Sequence, residues 1–116
     1  MKLKLTKSNF VKSLSFVQNI VESKTTIPIL ANVLLEAKQG RLHVSATDMD
    51  ITLFDKIKLN NIESEGSTSV PAHTLYNVIK ELSDDDPIEL SYDKNNKKLH
   101  LLSSKSKFVF SCLPKE

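Results

Sequence analysis

The chain has 116 residues, 40% of them hydrophobic and 26% charged, with a net charge of +2. That length supports one domain, residues 1–116, with a core that needs no disulfide or metal staple. The lone Cys112 excludes an intramolecular disulfide, Gly40 and Gly66 are too few for a glycine-rich phosphate cradle, and no apolar run approaches the ~20 residues that cross a bilayer.

Residues 2–6, KLKLT, alternate apolar and polar and predict a short strand. Thr6 or Ser8 can cap the helix that follows. Phe10, Leu14, Val17 and Val21 recur at spacings of four, three and four, which is one buried helical stripe. The polar run at residues 22–26 ends that helix, and Pro28 reinforces the stop because the residue before a proline avoids the helical region. Three strands are expected next. Residues 27–37 place Ile27, Ile29, Ala31, Val33 and Leu35 on one face. Residues 41–46 follow a tight Gln39-Gly40 turn. Residues 50–59 place Ile51, Leu53, Ile57 and Leu59 on one face, with Asp55 a polar exception. Residues 60–67 read as a polar loop.

The same order then repeats. Residues 67–70 suggest a short strand, and Pro71 suits a first helical turn. Leu75, Val78, Ile79 and Leu82 form the second stripe, and the Asp84-Asp85-Asp86-Pro87 run closes it. Residues 88–92, 98–103 and 107–112 predict three more strands, joined by Asp93 to Asn96 and by Ser104 to Ser106. The fold class is therefore α+β: two strand-helix-strand-strand-strand units whose helices pack together beneath two antiparallel sheets. The repeat lies in pattern only, since the halves share negligible identity.

No catalytic apparatus is visible. His43, His73 and His100 lack the spacing of zinc ligands, and no serine sits in a glycine-flanked elbow. Cys112, within FVFSCL, reads as a buried, inert thiol. Asp48 and Asp50 would project to one face of a strand and permit a metal pair. The favoured alternative is a hairpin turn in which Asp48 accepts backbone amides. No cofactor and no metal site is expected. The N-terminus has no secretory signal, so a cytoplasmic location follows by default.

Charge is unevenly spread. Residues 1–24 carry +4, residues 25–93 carry −7 and residues 94–116 carry +5, so one surface can face a polyanion while another repels it. On the second helix His73, Asn77 and Lys80 share a face opposite the buried stripe. Lys12 lies off the first stripe, and Lys24 follows in the loop. Such a surface offers cations and amides to phosphates and few groups shaped to read bases.

The stretch TIPILANVLLEAKQGRLHVSATDMDITL, residues 26–53, and VPAHTLYNVIKEL, residues 70–82, resemble the first domain of the bacterial sliding clamp, the beta subunit of DNA polymerase III. The resemblance runs nearly gap-free from Met1 to about Glu116. It implies a non-catalytic processivity factor, one third of a subunit in a homodimeric ring whose helices surround duplex DNA and whose sheets form the outer wall. Polymerase and clamp loader would dock on domains absent from this chain. Lys24 and His73 stand where such clamps usually carry DNA-contacting arginines. Lysine keeps the charge but loses the planar fork, and neutral histidine loses the charge. The resemblance also places Lys98, Lys105, Lys107, Phe108 and Phe110 at the edge that meets the partner subunit, although Phe108 and Phe110 can equally share a core face. Two rivals stand beside this reading: a metal-dependent nuclease using Asp48, Asp50 and the Asp84 run, and a stand-alone protein-interaction domain.

Overall fold

The alternation of KLKLT produces β1 (Lys2–Thr6), with Leu3 and Leu5 buried, in a computed structural model that describes residues 1–21, 31–48, 50–59, 62–82, 87–103 and 106–112. Thr6 then caps α1 (Lys7–Val17): its Oγ1 accepts the Asn9 amide at 3.4 Å, an N-cap bond that typically contributes about 1 kcal/mol. Phe10, Leu14 and Val17 are fully buried, but α1 ends at Val17, before the polar run expected to close it. A 3-10 turn (Gln18–Ile20) follows, and Val21 is buried in extended backbone rather than on the helical stripe.

The three expected strands follow as β2 (Asn32–Lys38), β3 (Arg41–Thr47) and β4 (Thr52–Lys58). Residues 27–30 of the first lie outside the described residues. Gln39 and Gly40, with φ of 53° and 74°, make the tight turn between β2 and β3, a backbone that glycine adopts without strain. Val33, Leu35, Leu42, Val44 and Ile57 face the core. Ile51 does not: it is 55% exposed. Its carbonyl accepts the Asp48 amide at 3.1 Å, so it belongs to the β3–β4 turn, where strand alternation no longer applies.

Within the expected polar loop the chain forms a further strand, β5 (Ile62–Ser64), before β6 (Gly66–Pro71) and α2 (Ala72–Lys80). Pro71 is the cap residue of α2, one position ahead of the first turn. Leu75 and Ile79 are fully buried, and Val78 and Leu82 pack partly buried against the core. The last three strands are β7 (Pro87–Asp93), β8 (Lys98–Ser103) and β9 (Ser106–Ser111).

The strands do not sort by half. One sheet has the order β5-β1-β7-β8-β9 and the other β4-β3-β2-β6, with antiparallel pairing throughout. Each unit thus lends its opening strand to the other unit's three-strand meander: β1 pairs with β7 from Lys2↔Ser91 to Thr6↔Pro87, and β6 pairs with β2 from Asn32↔Pro71 to Ala37↔Gly66. Both helices lie on the inward side, and one continuous cluster joins Phe10, Leu35, Leu75, Ile88 and Leu101. Asn32, the polar residue in a packed strand, donates from Nδ2 to the buried Ser69 Oγ at 3.4 Å.

Candidate nucleic-acid interface and edge strand

Two polar tethers fix the helices to each other. Lys7, the first residue of α1, donates from Nζ to the Leu82 carbonyl just past the end of α2, at 2.6 Å. His73, the second residue of α2, sets Nε2 2.9 Å from the Val21 carbonyl just past α1. A carbonyl only accepts, so His73 holds its proton on Nε2. The helices therefore run antiparallel, each supplying a donor to carbonyls beyond the other's C-terminal end. The Lys7 ammonium also complements the negative end of the α2 dipole.

This arrangement leaves Lys12, Asn77 and Lys80 exposed on the two helices. Lys80 Nζ sits 5.3 Å from the centroid of the Tyr76 ring, one turn earlier on α2. Lys12 lines a shallow surface groove with Asn9 and Ser13 of α1 and with Asp55, Lys56 and Lys58 of β4. Asp55, the polar exception on its strand face, thereby lies at a polar margin of the helix layer. His73 is half-buried and engaged with Val21, a role that nothing in its local sequence announced. Lys24 lies outside the described residues.

One edge of the five-stranded sheet is β9, and the other is the short β5. Its pairing with β8 puts Leu99 opposite Phe110 and Leu101 opposite Phe108, so both phenylalanines point inward. Phe110 is only 6% exposed and belongs to this domain's own core, which corrects the expectation that it faces a partner. Phe108 is partly buried at the rim of the same core. The outward apolar residue of β9 is Val109, 52% exposed, opposite His100 on β8. Strand alternation sets Val109 on the face opposite Phe108 and Phe110, so its side follows once the pairing with β8 fixes theirs. Lys107 is exposed on the outward face, and Lys98 donates to Ser111 Oγ at 2.8 Å across the ladder. Lys105 lies outside the described residues.

The aspartate candidates behave as turn residues. Asp48 Oδ1 accepts the amides of Asp50 at 2.9 Å and Ile51 at 2.8 Å, and the Ile51 bond leads in holding its carboxyl below the usual aspartate range. Asp93 repeats the device with Asn95 and Asn96, where the Asn96 side chain is the leading cause of its lowered pKa. The Asp84–Asp86 positions fall outside the described residues. Among the described residues, no three His, Cys, Asp or Glu side chains gather as metal ligands, and no helix is long and apolar enough to cross a membrane. Cys112 is buried, and that burial pushes its thiol pKa up, as expected for an inert cysteine.

Residues 1–116 match the family described as DNA polymerase III beta subunit, N-terminal domain. A beta sliding clamp of Caulobacter vibrioides is 38% identical over 114 residues, which is 98% of this chain and 30% of that protein. Solved relatives include a DNA polymerase III subunit beta sliding clamp from Bartonella birtlesii, bound to griselimycin, with 37% identity and a TM-score of 0.93 over 99% of this chain and 30% of that one. A Caulobacter crescentus beta sliding clamp superposes with a TM-score of 0.94 at 38% identity, covering 98% of this chain and 30% of its own. The chain thus spans about 30% of the length of these relatives. With the match extending over every residue, the chain belongs to the DNA polymerase III beta subunit family, as its N-terminal domain.

Proposed function

We propose that this chain is the first domain of a ring-shaped processivity clamp, a non-catalytic part that encircles duplex DNA and tethers the replicative polymerase. The observation that carries this reading is the match of residues 1–116 to the family's N-terminal domain together with the antiparallel helix pair, whose exposed residues include Lys12, Asn77 and Lys80. A ring that slides needs weak, largely electrostatic contacts, and a few cations with amides supply that without base reading. Lys12, Lys80 and Lys24 would approach phosphates, Asn77 would contribute an amide, and His73 would act mainly by holding the α2 N-terminus to Val21. The role attributed to the edge is subunit contact in a homodimeric ring, through the β9 backbone with Lys98, Lys105, Lys107 and the rim of Phe108. An unpaired sheet edge needs a partner or charged protection.

The nuclease reading loses support from Asp48, whose Oδ1 already accepts two amides within its own turn. The test is a chimera in which residues 1–116 replace the matching segment of the Caulobacter clamp. It is expected to form a closed dimer and support processive synthesis by the Caulobacter polymerase after loading. A chimera that folds and dimerises but gives no more synthesis per binding event than polymerase alone would overturn the processivity reading.

A further inference from the structure

The side of the four-stranded sheet that faces away from the helices carries its own pattern. Register places Lys38, Arg41 and Lys58 side by side on β2, β3 and β4, and in the next outward row Glu36, His43 and Lys56. Directly paired residues of antiparallel strands project to one face, and neighbouring strands lie about 4.8 Å apart. Four cations and one carboxylate therefore occupy two adjacent rows. Partial burial, followed by Lys38 and Lys56, holds the His43 imidazole below its ordinary pKa, as a cationic surrounding requires. A second carboxylate, Glu65, sits at the margin, where it accepts the Gln39 amide at 2.9 Å.

The third outward row holds Leu34, Ser45 and Phe54. Phe54 is 69% exposed, so most of this side chain stands in solvent. Along β4 the outward residues Phe54, Lys56 and Lys58 succeed one another at about 7 Å, two strand residues per step. We infer that this outward face, through Phe54, Arg41, Lys56 and Lys58, takes single-stranded nucleic acid, with a base stacked on the Phe54 ring and successive phosphates over the cationic rows. Every base has a face to stack on, and cations alongside an aromatic ring are the common design for holding a single strand. An acidic peptide would satisfy the cations, but an open sheet face gives its apolar side chains no pocket to fill. A duplex would satisfy the cations and leave Phe54 without a partner, because its bases are already stacked. Arg41 and Phe54 lie on the other side of the sheet from the helix pair, while Lys56 and Lys58, on the edge strand β4, also border the Lys12 groove, so dependence on Phe54 is what separates this surface from the clamp reading.

The chain contains no tryptophan, so Phe54→Trp supplies a single reporter. Labelled oligo(dT) of 15 nucleotides is titrated by anisotropy into the full 116-residue chain at low salt, beside a duplex of equal length and poly-glutamate. Expected results are quenching of the Phe54→Trp emission by oligo(dT), about tenfold weaker binding in Phe54→Ala, and a salt slope lowered by about 0.7 for each of Lys56→Ala and Lys58→Ala. Thermal unfolding confirms that each variant is folded. Duplex binding should survive Phe54→Ala, and absent duplex binding with oligo(dT) binding still dependent on Phe54 would indict the helix-face reading alone. No oligo(dT) binding, binding indifferent to Phe54, or equally Phe54-dependent binding of poly-glutamate overturns the inference, the last by assigning the face to an acidic protein.

Discussion

The His73 imidazole lies 2.9 Å from the carbonyl of Val21, 52 residues earlier, and ties the beginning of the second helix to the end of the first. His73 thus has a structural partner of its own within this domain. His73→Ala leaves a partly buried carbonyl without its donor, and the expected cost is about 1 kcal/mol of folding stability by urea denaturation. His73→Arg keeps a donor and adds a permanent charge. It is expected to tighten duplex binding at pH 7.5, and unchanged affinity would indicate that this position does not face DNA.

The opposite tether, Lys7 to the Leu82 carbonyl, makes a second prediction. Lys7→Met should cost about 1–2 kcal/mol, since a charged donor to a helix-terminal carbonyl is stronger than a neutral one. The two tethers sit at opposite ends of the helix pair, so the double variant should lose the sum of the single losses within about 0.5 kcal/mol. A clear excess over that sum would mean that the helices separate as one unit once either end is freed.

On β9 the two phenylalanines should part company. Phe110→Ala empties a core position and is expected to cost about 3–5 kcal/mol, lowering the melting temperature by more than ~10 °C. Phe108→Ala, at the rim, should cost less than half of that. In the Caulobacter chimera, Lys107→Glu should slow ring association, most strongly at low salt. Equal melting temperatures for the two phenylalanine variants would refute the inward register of Phe110.

Acid stability should respond to the turn aspartates. Asp48 and Asp93 have folded-state pKa values lowered by turn hydrogen bonds, so their contribution is complete above the unfolded aspartate value, about pH 4. It is lost as pH falls through the lower folded values. The Asp48→Ala/Asp93→Ala variant should therefore be less stable at neutral pH, and its stability should fall less steeply below about pH 4 than that of the parent. Parallel acid limbs for variant and parent would exclude this linkage.

Duplex binding by the chain alone should be weak, near ~10⁻⁴ M or weaker at physiological salt, because such contacts are non-specific. Lys12→Ala and Lys80→Ala should each lower the slope of log K against log salt by about 0.9. Slopes that do not move would remove these lysines from the phosphate path.

Local features were legible where a residue's neighbours in sequence are also its partners. Phe10, Leu14 and Val17 declared the first helix by spacing, although Val21 at the same spacing lies past its end in extended backbone. Gln39-Gly40 declared a hairpin, and Asp48 followed turn chemistry. The short β5 escaped notice because three residues with one apolar member, Ile62, carry no periodicity. Ile51 misled because its type suggests a strand face while its carbonyl closes a turn. Phe110 could be placed on a shared face with Phe108, but only the pairing with Leu99 decides which side that face is on. The tethers at Val21 and Leu82 join residues 52 and 75 positions apart, and no local pattern encodes such a distance.

The exchange of opening strands between the two sheets also governs how this domain can form. On a growing chain β1 is made first, yet its long ladder, Lys2↔Ser91 through Thr6↔Pro87, must wait for residues some eighty positions later. Closing such a loop costs entropy before any contact compensates, so acquisition of structure should be limited by this late, distant zipping. Neither half can complete its sheet alone: residues 1–58 retain β2 to β4 but lack β6, and β7 to β9 lack β1. Severed fragments should remain largely unstructured apart and regain order only when mixed.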